Sequence, residues 1–101
     1  MRELRFSRRA RQHLDDIDDY LFERTGDKGA GARLVRAIEA RMFRLAGSPA
    51  TFGRPRPELG PGLRSLPHGP YLIFFIATER HIDVLHVLHA RRDLGRYFRG
   101  R

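Results

Sequence analysis

Apolar and polar positions along this chain change their period from one stretch to the next, and the changes mark out helices and strands. In the first half, apolar residues recur at intervals of three and four, the spacing of one helical face. The first such stripe consists of Ala10, Leu14, Ile17 and Leu21. The second consists of Leu34, Val35, Ile38, Met42 and Leu45. The two stripes predict two amphipathic helices in succession.

Residues that favour helix ends flank both stripes. Ser7 is suited to cap the first helix, because its hydroxyl can accept from a free amide of the first turn. Gly26 is suited to end that helix, and Asp27 to cap the next one at once. Gly47-Ser48-Pro49 closes the second stripe. So short a connection predicts an antiparallel helical hairpin.

Strand patterns precede and follow this hairpin. Leu4-Arg5-Phe6 predicts a short opening strand, whereas residues 48–62 hold four of the six prolines and predict a loop. A short arm beginning near Leu63 then ends at Pro67-His68-Gly69-Pro70. Two apolar strands follow, Tyr71–Ala77 and Ile82–Leu88. Because Tyr71–Ala77 is apolar without alternation, both of its faces must be covered.

The predicted order is therefore β-α-α-β-β-β. It corresponds to an α+β fold of two layers, with the N-terminal helical hairpin packed on a mainly antiparallel sheet. We expect residues 1–101 to form a single domain. Tyr97-Phe98 near the end is either a docked final turn or an exposed aromatic tail.

Composition narrows the function classes. The chain has no cysteine, which excludes a disulfide framework and thiol chemistry. It has no apolar run of membrane-span length and no signal-peptide pattern, so we expect a cytoplasmic protein without a membrane partner. A formal net charge of +8 and a pI of about 11.3 indicate an anionic partner.

Two clusters resemble metal sites without meeting the requirements of one. Asp15, Asp16, Asp18 and Asp19 lie on the first predicted helix. We interpret them as a solvated face, paired with Arg8, Arg9 and Arg11 one turn earlier. On the last predicted strand, alternation places His81 and His89 on one face, about 26 Å apart at 3.3 Å per residue. Zinc ligands must converge on one point, so we predict no metal and no cofactor.

The remaining candidate is a basic surface around the last strands and the tail. Its cations are Arg64, Arg91, Arg92, Arg96, Arg99 and Arg101, with His68, His86, His89 and Tyr97 nearby. If the strands that carry them pair, these cations form one concave patch. Three interpretations stay open here: RNA cleavage by acid–base chemistry, binding of an acidic peptide or nucleic acid, and ordinary solubilising arginines.

Three stretches together resemble a known family. They are Leu4-Arg5-Phe6-Ser7-Arg8-Arg9-Ala10 with Leu14 and Asp15-Asp16-Ile17; Pro57 to Ser65 with Gly69 to Phe75; and Val84 to Leu94, which ends in His89-Ala90-Arg91-Arg92-Asp93-Leu94. Their sequence and order are similar to those of the ParE/RelE superfamily, the small toxins of type II toxin–antitoxin operons. The closing stretch is similar to the ParE branch.

The resemblance implies a toxin that arrests growth and is neutralised by a cognate antitoxin with an acidic C-terminal segment. In ParE-type toxins the target is DNA gyrase, which is poisoned by binding without toxin catalysis. Partner-binding residues would then come from Arg64, His89, Arg91, Arg92, Arg96 and Tyr97, with Asp93 pairing an arginine to fix the tail.

Two alternatives remain at this stage. RelE-type relatives cleave mRNA on the ribosome, and Arg64, Arg91 and Tyr97 are at positions that could match that catalytic role. The other alternative is a basic nucleic-acid-binding module without toxicity.

Overall fold

A computed structural model describes residues 1–100. The strands are β1 (Glu3–Phe6), β2 (Arg54–Pro55), β3 (Arg64–His68), β4 (Tyr71–Ala77) and β5 (His81–His89). The helices are α1 (Arg8–Thr25), α2 (Lys28–Ala46) and α3 (Leu94–Arg99). The chain order is thus β1-α1-α2-β2-β3-β4-β5-α3, an α+β fold as predicted.

The predicted helix ends are confirmed. Ser7 Oγ accepts from the backbone amide of Ala10 at 3.0 Å, and Asp27 Oδ1 accepts from Gly29 at 2.8 Å. Gly26 ends α1 with a φ of 69°, a left-handed conformation that a residue without Cβ adopts at little cost. Two residues therefore separate α1 from α2, and the helices form a hairpin.

The hairpin is held at close range where Gly31 of α2 meets Asp18 of α1. A Cβ built on Gly31 would lie 2.5 Å from Asp18 Cα. Because that atom belongs to the backbone, it cannot rotate away as the end of a side chain can. A glycine at position 31 is thus what allows the two helices to approach this closely.

The five strands form one sheet in the order β1-β5-β4-β3-β2. β1 lies parallel to β5, and the other three pairs are antiparallel, so the sheet is mainly antiparallel as predicted. A bulge interrupts the β4–β5 ladder: Phe74 pairs with His86 and Phe75 with Val84. Leu85 is left as the extra residue, and the alternation of faces shifts there.

Both faces of the sheet are covered, as the apolar character of β4 requires. The helix-facing core is packed by α1 and α2; its fully buried members include Ala10, Ile38, Met42, Ile73, Phe75, Ile82 and Val84. The α3-facing core lies on the other side, where Leu63, Phe74 and Leu88 are buried against Leu94, Tyr97 and Phe98 among others. Tyr97-Phe98 is therefore a docked final turn.

Two elements of the structure are absent from the predicted order. β2 is a two-residue strand inside the predicted loop, and α3 is the docked tail. Neither changes the fold class, but α3 supplies the cover of the second sheet face. No helix among residues 1–100 combines the length and apolar character that a membrane span requires.

Candidate functional site

The site lies where β1 ends and leaves one edge of β5 without a neighbouring strand. Ser7 closes the β1–β5 ladder, with its amide donating to Val84 O at 2.9 Å and its hydroxyl to Leu85 O at 3.0 Å. Two residues further along β5, the Val87 amide donates to Nδ1 of His13 at 3.1 Å. Ser7 and the first turns of α1 thus provide hydrogen-bond partners for backbone groups at the edge of β5, where a neighbouring strand would otherwise pair.

This backbone contact fixes the protonation of His13. An amide can only donate, so Nδ1 of His13 must be the acceptor nitrogen, and in the neutral ring Nε2 carries the hydrogen. Nε2 lies 3.3 Å from the Tyr97 hydroxyl, which lies 3.0 Å from Nδ1 of His86. Nε2 of His13 is then the donor to the Tyr97 hydroxyl.

The surroundings of His13 favour its neutral form. Burial lowers the pKa of His13, and the nearby cations Arg92 and Arg9 lower it further, whereas Asp16 acts in the opposite direction. Arg92 also lies over the Tyr97 ring, its Cζ 4.5 Å from the ring centroid. A cationic environment thus surrounds a neutral imidazole.

His86 is held in an aromatic enclosure between β4 and α3, with a relative exposure of 1%. Its ring meets those of Phe98, Tyr97 and Phe74 edge-on, with centroids 4.9, 5.5 and 6.4 Å away. A buried imidazole in such a setting locks the position of the helix that covers it. His86 therefore serves to dock α3 on the sheet.

Beside this array lies a cleft of about 360 Å³ between α1 and the ends of β4 and β5. The residues lining it are His13, Asp16, Ile17, Tyr20, Tyr71, Val87, Leu88, His89 and Arg92. Aliphatic and aromatic groups make up most of its wall, and charged or polar groups come both from α1 and from the end of β5 and the segment after it. Such a combination suits a ligand with both an apolar and a charged part.

Arg64 does not join the other predicted site residues. Its guanidinium donates to the carbonyl oxygens of Phe52 and Gly53, each at 2.8 Å. Arg64 pairs with Phe75 of β4, whereas His89 pairs with Tyr71 at the start of β4. Phe75 and Tyr71 are about 13 Å apart along the strand. The prediction that Arg64 forms one concave patch with the tail cations is wrong, because β4 separates β3 from β5.

The other predicted partner-binding residues follow one another at the end of β5 and on α3. His89, Arg91, Arg92 and Arg96 are exposed, and Tyr97 is half-buried in the hydrogen-bonded array. The Nδ1 atom of His89 accepts from the Arg91 amide at 3.1 Å. Whether these residues contact a partner stays a prediction. Arg101, also assigned to the basic surface, lies outside the described residues.

Three sequence-based side-chain assignments are wrong. Within residues 1–100, Asp93 pairs with no arginine side chain; its carboxylate caps α3 by accepting from the Arg96 amide at 3.0 Å. Arg11 pairs with Glu39 of α2 rather than with an aspartate of its own helix.

His81 and His89 do not share a face, because the bulge at Leu85 shifts the alternation. No group of three or more possible metal ligands converges within residues 1–100.

His13 is a member of the site that sequence reasoning missed. It follows Ala10 by three positions and precedes Ile17 by four, so it borders the buried stripe of α1. That spacing was the available signal, since a polar residue at such a position can reach a sheet edge. The corresponding signal for His86 was its position inside a mainly apolar strand.

The sequence matches one protein family over most of its length. Residues 4–94 match the family described as the ParE toxin of the type II toxin–antitoxin system parDE. The chain is 36% identical to Toxin ParE1 of Mycobacterium tuberculosis over 88 residues, which are 86% of this chain and 88% of that protein. It is 34% identical to Toxin ParE1 of Caulobacter vibrioides over 99 residues, 94% of this chain and 100% of that one.

The fold is also similar to that of a solved structure. A chain of the structure titled "Chromosomal ParDE TA system from P. aeruginosa" superposes with a TM-score of 0.75 and 25% sequence identity. The superposition covers 88% of the present chain and 96% of the other. The likeness thus includes both the helical hairpin and the sheet on which the site is built.

Proposed function

This chain belongs to the ParE family of toxins of type II toxin–antitoxin systems, and on that premise we propose that it arrests growth by binding and poisoning DNA gyrase. The toxin acts in the cytoplasm and forms no covalent intermediate with its target. A cognate antitoxin, the partner that membership of a toxin–antitoxin family implies, neutralises it through an acidic C-terminal segment.

The observation that carries the choice of gyrase over mRNA is the position of Arg64. A ribonuclease of the RelE kind would need Arg64, Arg91 and Tyr97 around one phosphate. Arg64 instead donates to the carbonyls of Phe52 and Gly53, whose side of the sheet is the helix-facing one. Tyr97 packs in the α3-facing core. The three groups are not assembled, which favours action by binding.

Charge supports a binding role with anionic partners. The formal net charge of +8 attracts an acidic antitoxin segment and accelerates its encounter with the toxin. The same charge favours approach to a gyrase–DNA complex.

The experiment is induced expression in a bacterial host with a reporter plasmid. Under the gyrase proposal, growth stops, the plasmid loses negative supercoiling, and messenger RNA stays intact. Co-expression of the neighbouring antitoxin gene restores both growth and supercoiling. Growth arrest with a normally supercoiled plasmid would count against gyrase as the target.

One observation favours a second candidate, the ribosome-dependent endoribonuclease. The Tyr97 hydroxyl lies between two imidazoles, 3.0 Å and 3.3 Å from their nitrogens, and Arg92 lies over its ring. Such an array can pass a proton and stabilise a phosphate. This candidate predicts cleaved messages in the same cells, lost on Tyr97→Phe or Arg91→Ala. Intact messages during growth arrest exclude it.

A further inference from the structure

The cleft between α1 and the ends of β4 and β5 differs in charge from the rest of the protein. The chain as a whole carries a formal charge of +8, with histidine counted as neutral. The charged groups that line the cleft, counted in the same way, are one carboxylate, Asp16, and one guanidinium, Arg92. The lining is thus electrically balanced. A balanced pocket does not select a polyanion such as nucleic acid, whose recognition needs an excess of cations.

The two charged groups of the lining do not pair with each other. Asp16 and Arg92 form no salt bridge in the described part of the chain. The pKa of His13 is lowered by burial and by Arg92 and raised by Asp16, so both charges lie near the same imidazole. Asp16 Oδ1 accepts from Gln12 at 2.9 Å, which leaves the second carboxylate oxygen available. Arg92 lies over the Tyr97 ring, and its guanidinium donates no hydrogen bond to the described residues. A molecule with one cationic and one anionic group can therefore bridge Asp16 and Arg92.

The rest of the wall offers an apolar surface next to two phenols. Ile17, Val87 and Leu88 supply the aliphatic part. Tyr71 also lines the cleft; it is only 6% exposed, and its hydroxyl has no hydrogen-bond partner among the described residues. Burial and the neighbouring Tyr20 raise the pKa of Tyr71, so its phenol stays a neutral donor. Such a hydroxyl gains a hydrogen bond when a ligand supplies an acceptor.

This combination of groups identifies the class of ligand. A phosphate monoester would bring about two negative charges to a single guanidinium, and Asp16 would repel it. A residue inside a peptide has neither a free α-ammonium nor a free α-carboxylate. A free α-amino acid with a large apolar side chain has both groups and the apolar part, and a volume of about 360 Å³ accommodates it. The charge balance thus favours an amino acid over a nucleotide or an acidic segment.

We propose that this cleft binds a free α-amino acid with an aromatic or branched aliphatic side chain. The ammonium group pairs with Asp16, and the carboxylate accepts from Arg92, with the Tyr71 hydroxyl as a further donor. The side chain packs on the apolar wall beside Tyr20. Because Asp16 belongs to α1 and Arg92 to the segment between β5 and α3, the bound ligand joins these two parts of the toxin. The site is independent of the gyrase proposal and requires no partner protein.

The test is a titration of the purified, isotopically labelled toxin with L-phenylalanine and, separately, with L-leucine, followed by NMR. We expect saturable shifts of the backbone amides of Asp16 and Val87, with a Kd of about 1 mM or lower for at least one of the two. The N-acetyl derivative, which lacks the ammonium, and the amide, which lacks the carboxylate, should each bind at least about tenfold more weakly than the amino acid itself. AMP should leave both backbone amides unshifted.

Two variants address the two charges of the site. Asp16→Asn keeps the shape of an exposed side chain and removes its charge, and Arg92→Gln removes the guanidinium. Asp15→Asn and Arg36→Gln are the matched controls, because both residues are exposed and do not line the cleft. We expect the Kd for the amino acid to rise about tenfold for each site variant and to change less than about twofold for each control.

Thermal melting of each variant checks that it is folded. Because Arg92 lies over Tyr97, its replacement can loosen α3. Asp16 is hydrogen-bonded only to Gln12 of its own helix in the described chain, so Asp16→Asn keeps the test decisive.

Four results would overturn the proposal. The first is a parent toxin that shows no saturable shift with either amino acid up to about 20 mM. The second is an N-acetyl or amide derivative that binds as tightly as the amino acid, because the site would then not read both charges. The third is a folded Asp16→Asn variant with the affinity of the parent. The fourth is AMP binding at the same backbone amides more tightly than either amino acid, which would identify an anion site instead.

Discussion

The hydroxyl of Tyr97 lies 3.3 Å from Nε2 of His13, which joins the C-terminal helix to the first helix across 84 positions of sequence. The same hydroxyl lies 3.0 Å from Nδ1 of His86. Because the Val87 amide occupies Nδ1 of His13, Nε2 of that ring is the donor toward the Tyr97 hydroxyl. One phenol oxygen thus ties α1, β5 and α3 together beside the cleft, which His13 lines.

Tyr97→Phe should lower the free energy of unfolding. The change deletes one hydroxyl, which is the partner of Nε2 of His13 and of Nδ1 of His86. We expect a loss of about 1–3 kcal/mol, measured by urea denaturation near neutral pH. Tyr20→Phe is the control, because the Tyr20 hydroxyl makes no hydrogen bond within residues 1–100 and its loss should cost little. Equal stability losses in the two variants would contradict the role assigned to the array.

Acidification should destabilise the fold in the range where histidine titrates. The pKa of His13 in the folded chain is held below its ordinary value of 6.5 by burial and by Arg92, and the pKa of His68 is lowered by burial and by Arg41. Between the folded and ordinary values the unfolded chain binds more protons. The free energy of unfolding is therefore highest above pH 6.5 and falls as the pH drops toward the folded pKa values.

His13→Gln separates the two histidines in that measurement. Glutamine cannot take up a proton, so the part of the decline that comes from His13 should disappear and the part from His68 should remain. Urea denaturation of parent and variant at several pH values between about 5 and 7.5 gives the two profiles. Parallel profiles for parent and variant would contradict the burial of a neutral His13.

Gly31→Ala should force the helical hairpin apart. An added Cβ would lie 2.5 Å from Asp18 Cα, and a backbone atom cannot rotate aside. We expect a loss of about 1–3 kcal/mol, typical of overpacking. Gly29→Ala is the matched control on the same helix, because its Cβ would meet the flexible end of Arg33 and alanine favours the helix. Thermal melting should therefore separate the two variants, and equal melting temperatures would argue against a close approach at Gly31.

Arg64→Ala should loosen the segment that precedes β2 without affecting the cleft. The variant loses two hydrogen bonds from a charged group to the carbonyls of Phe52 and Gly53, which we expect to cost about 2 kcal/mol in the free energy of unfolding. Arg54→Ala removes an exposed arginine whose side chain has no hydrogen bond in the described chain, and should be close to neutral. If the folded Arg64→Ala variant lost toxicity while keeping its stability, Arg64 would contact the target directly.

Local patterns were enough to predict most of the elements. Apolar periodicity and the caps Ser7, Gly26 and Asp27 located α1 and α2, and the two apolar runs located β4 and β5. The physical reason is that burial of one face and satisfaction of helix ends are requirements of neighbouring residues. The lack of alternation in β4 also predicted that its second face is covered.

Features that depend on distant partners could not be predicted. β2 is a strand because Arg54 and Pro55 pair with Ser65 and Arg64. A segment of two residues is too short to show a strand periodicity that would predict this pairing. The bulge at Leu85 shifted the faces of the histidines, which invalidated the spacing argument made for a regular strand.

The composition of the site was missed for the same reason. The contact of His13 with Val87 depends on where β1 stops along β5. One local signal for α3 was misinterpreted: Asp93 was read as an ion-pair partner, although its position before Leu94 is also that of a helix cap.

The most direct test of the gyrase proposal is the supercoiling of relaxed plasmid by purified gyrase in the presence of this protein. We predict inhibition that increases with toxin concentration, accompanied by gyrase–DNA complexes trapped in the cleaved state, and full recovery when the toxin is first mixed with its antitoxin. Complete supercoiling at a large molar excess of folded toxin would contradict the proposal.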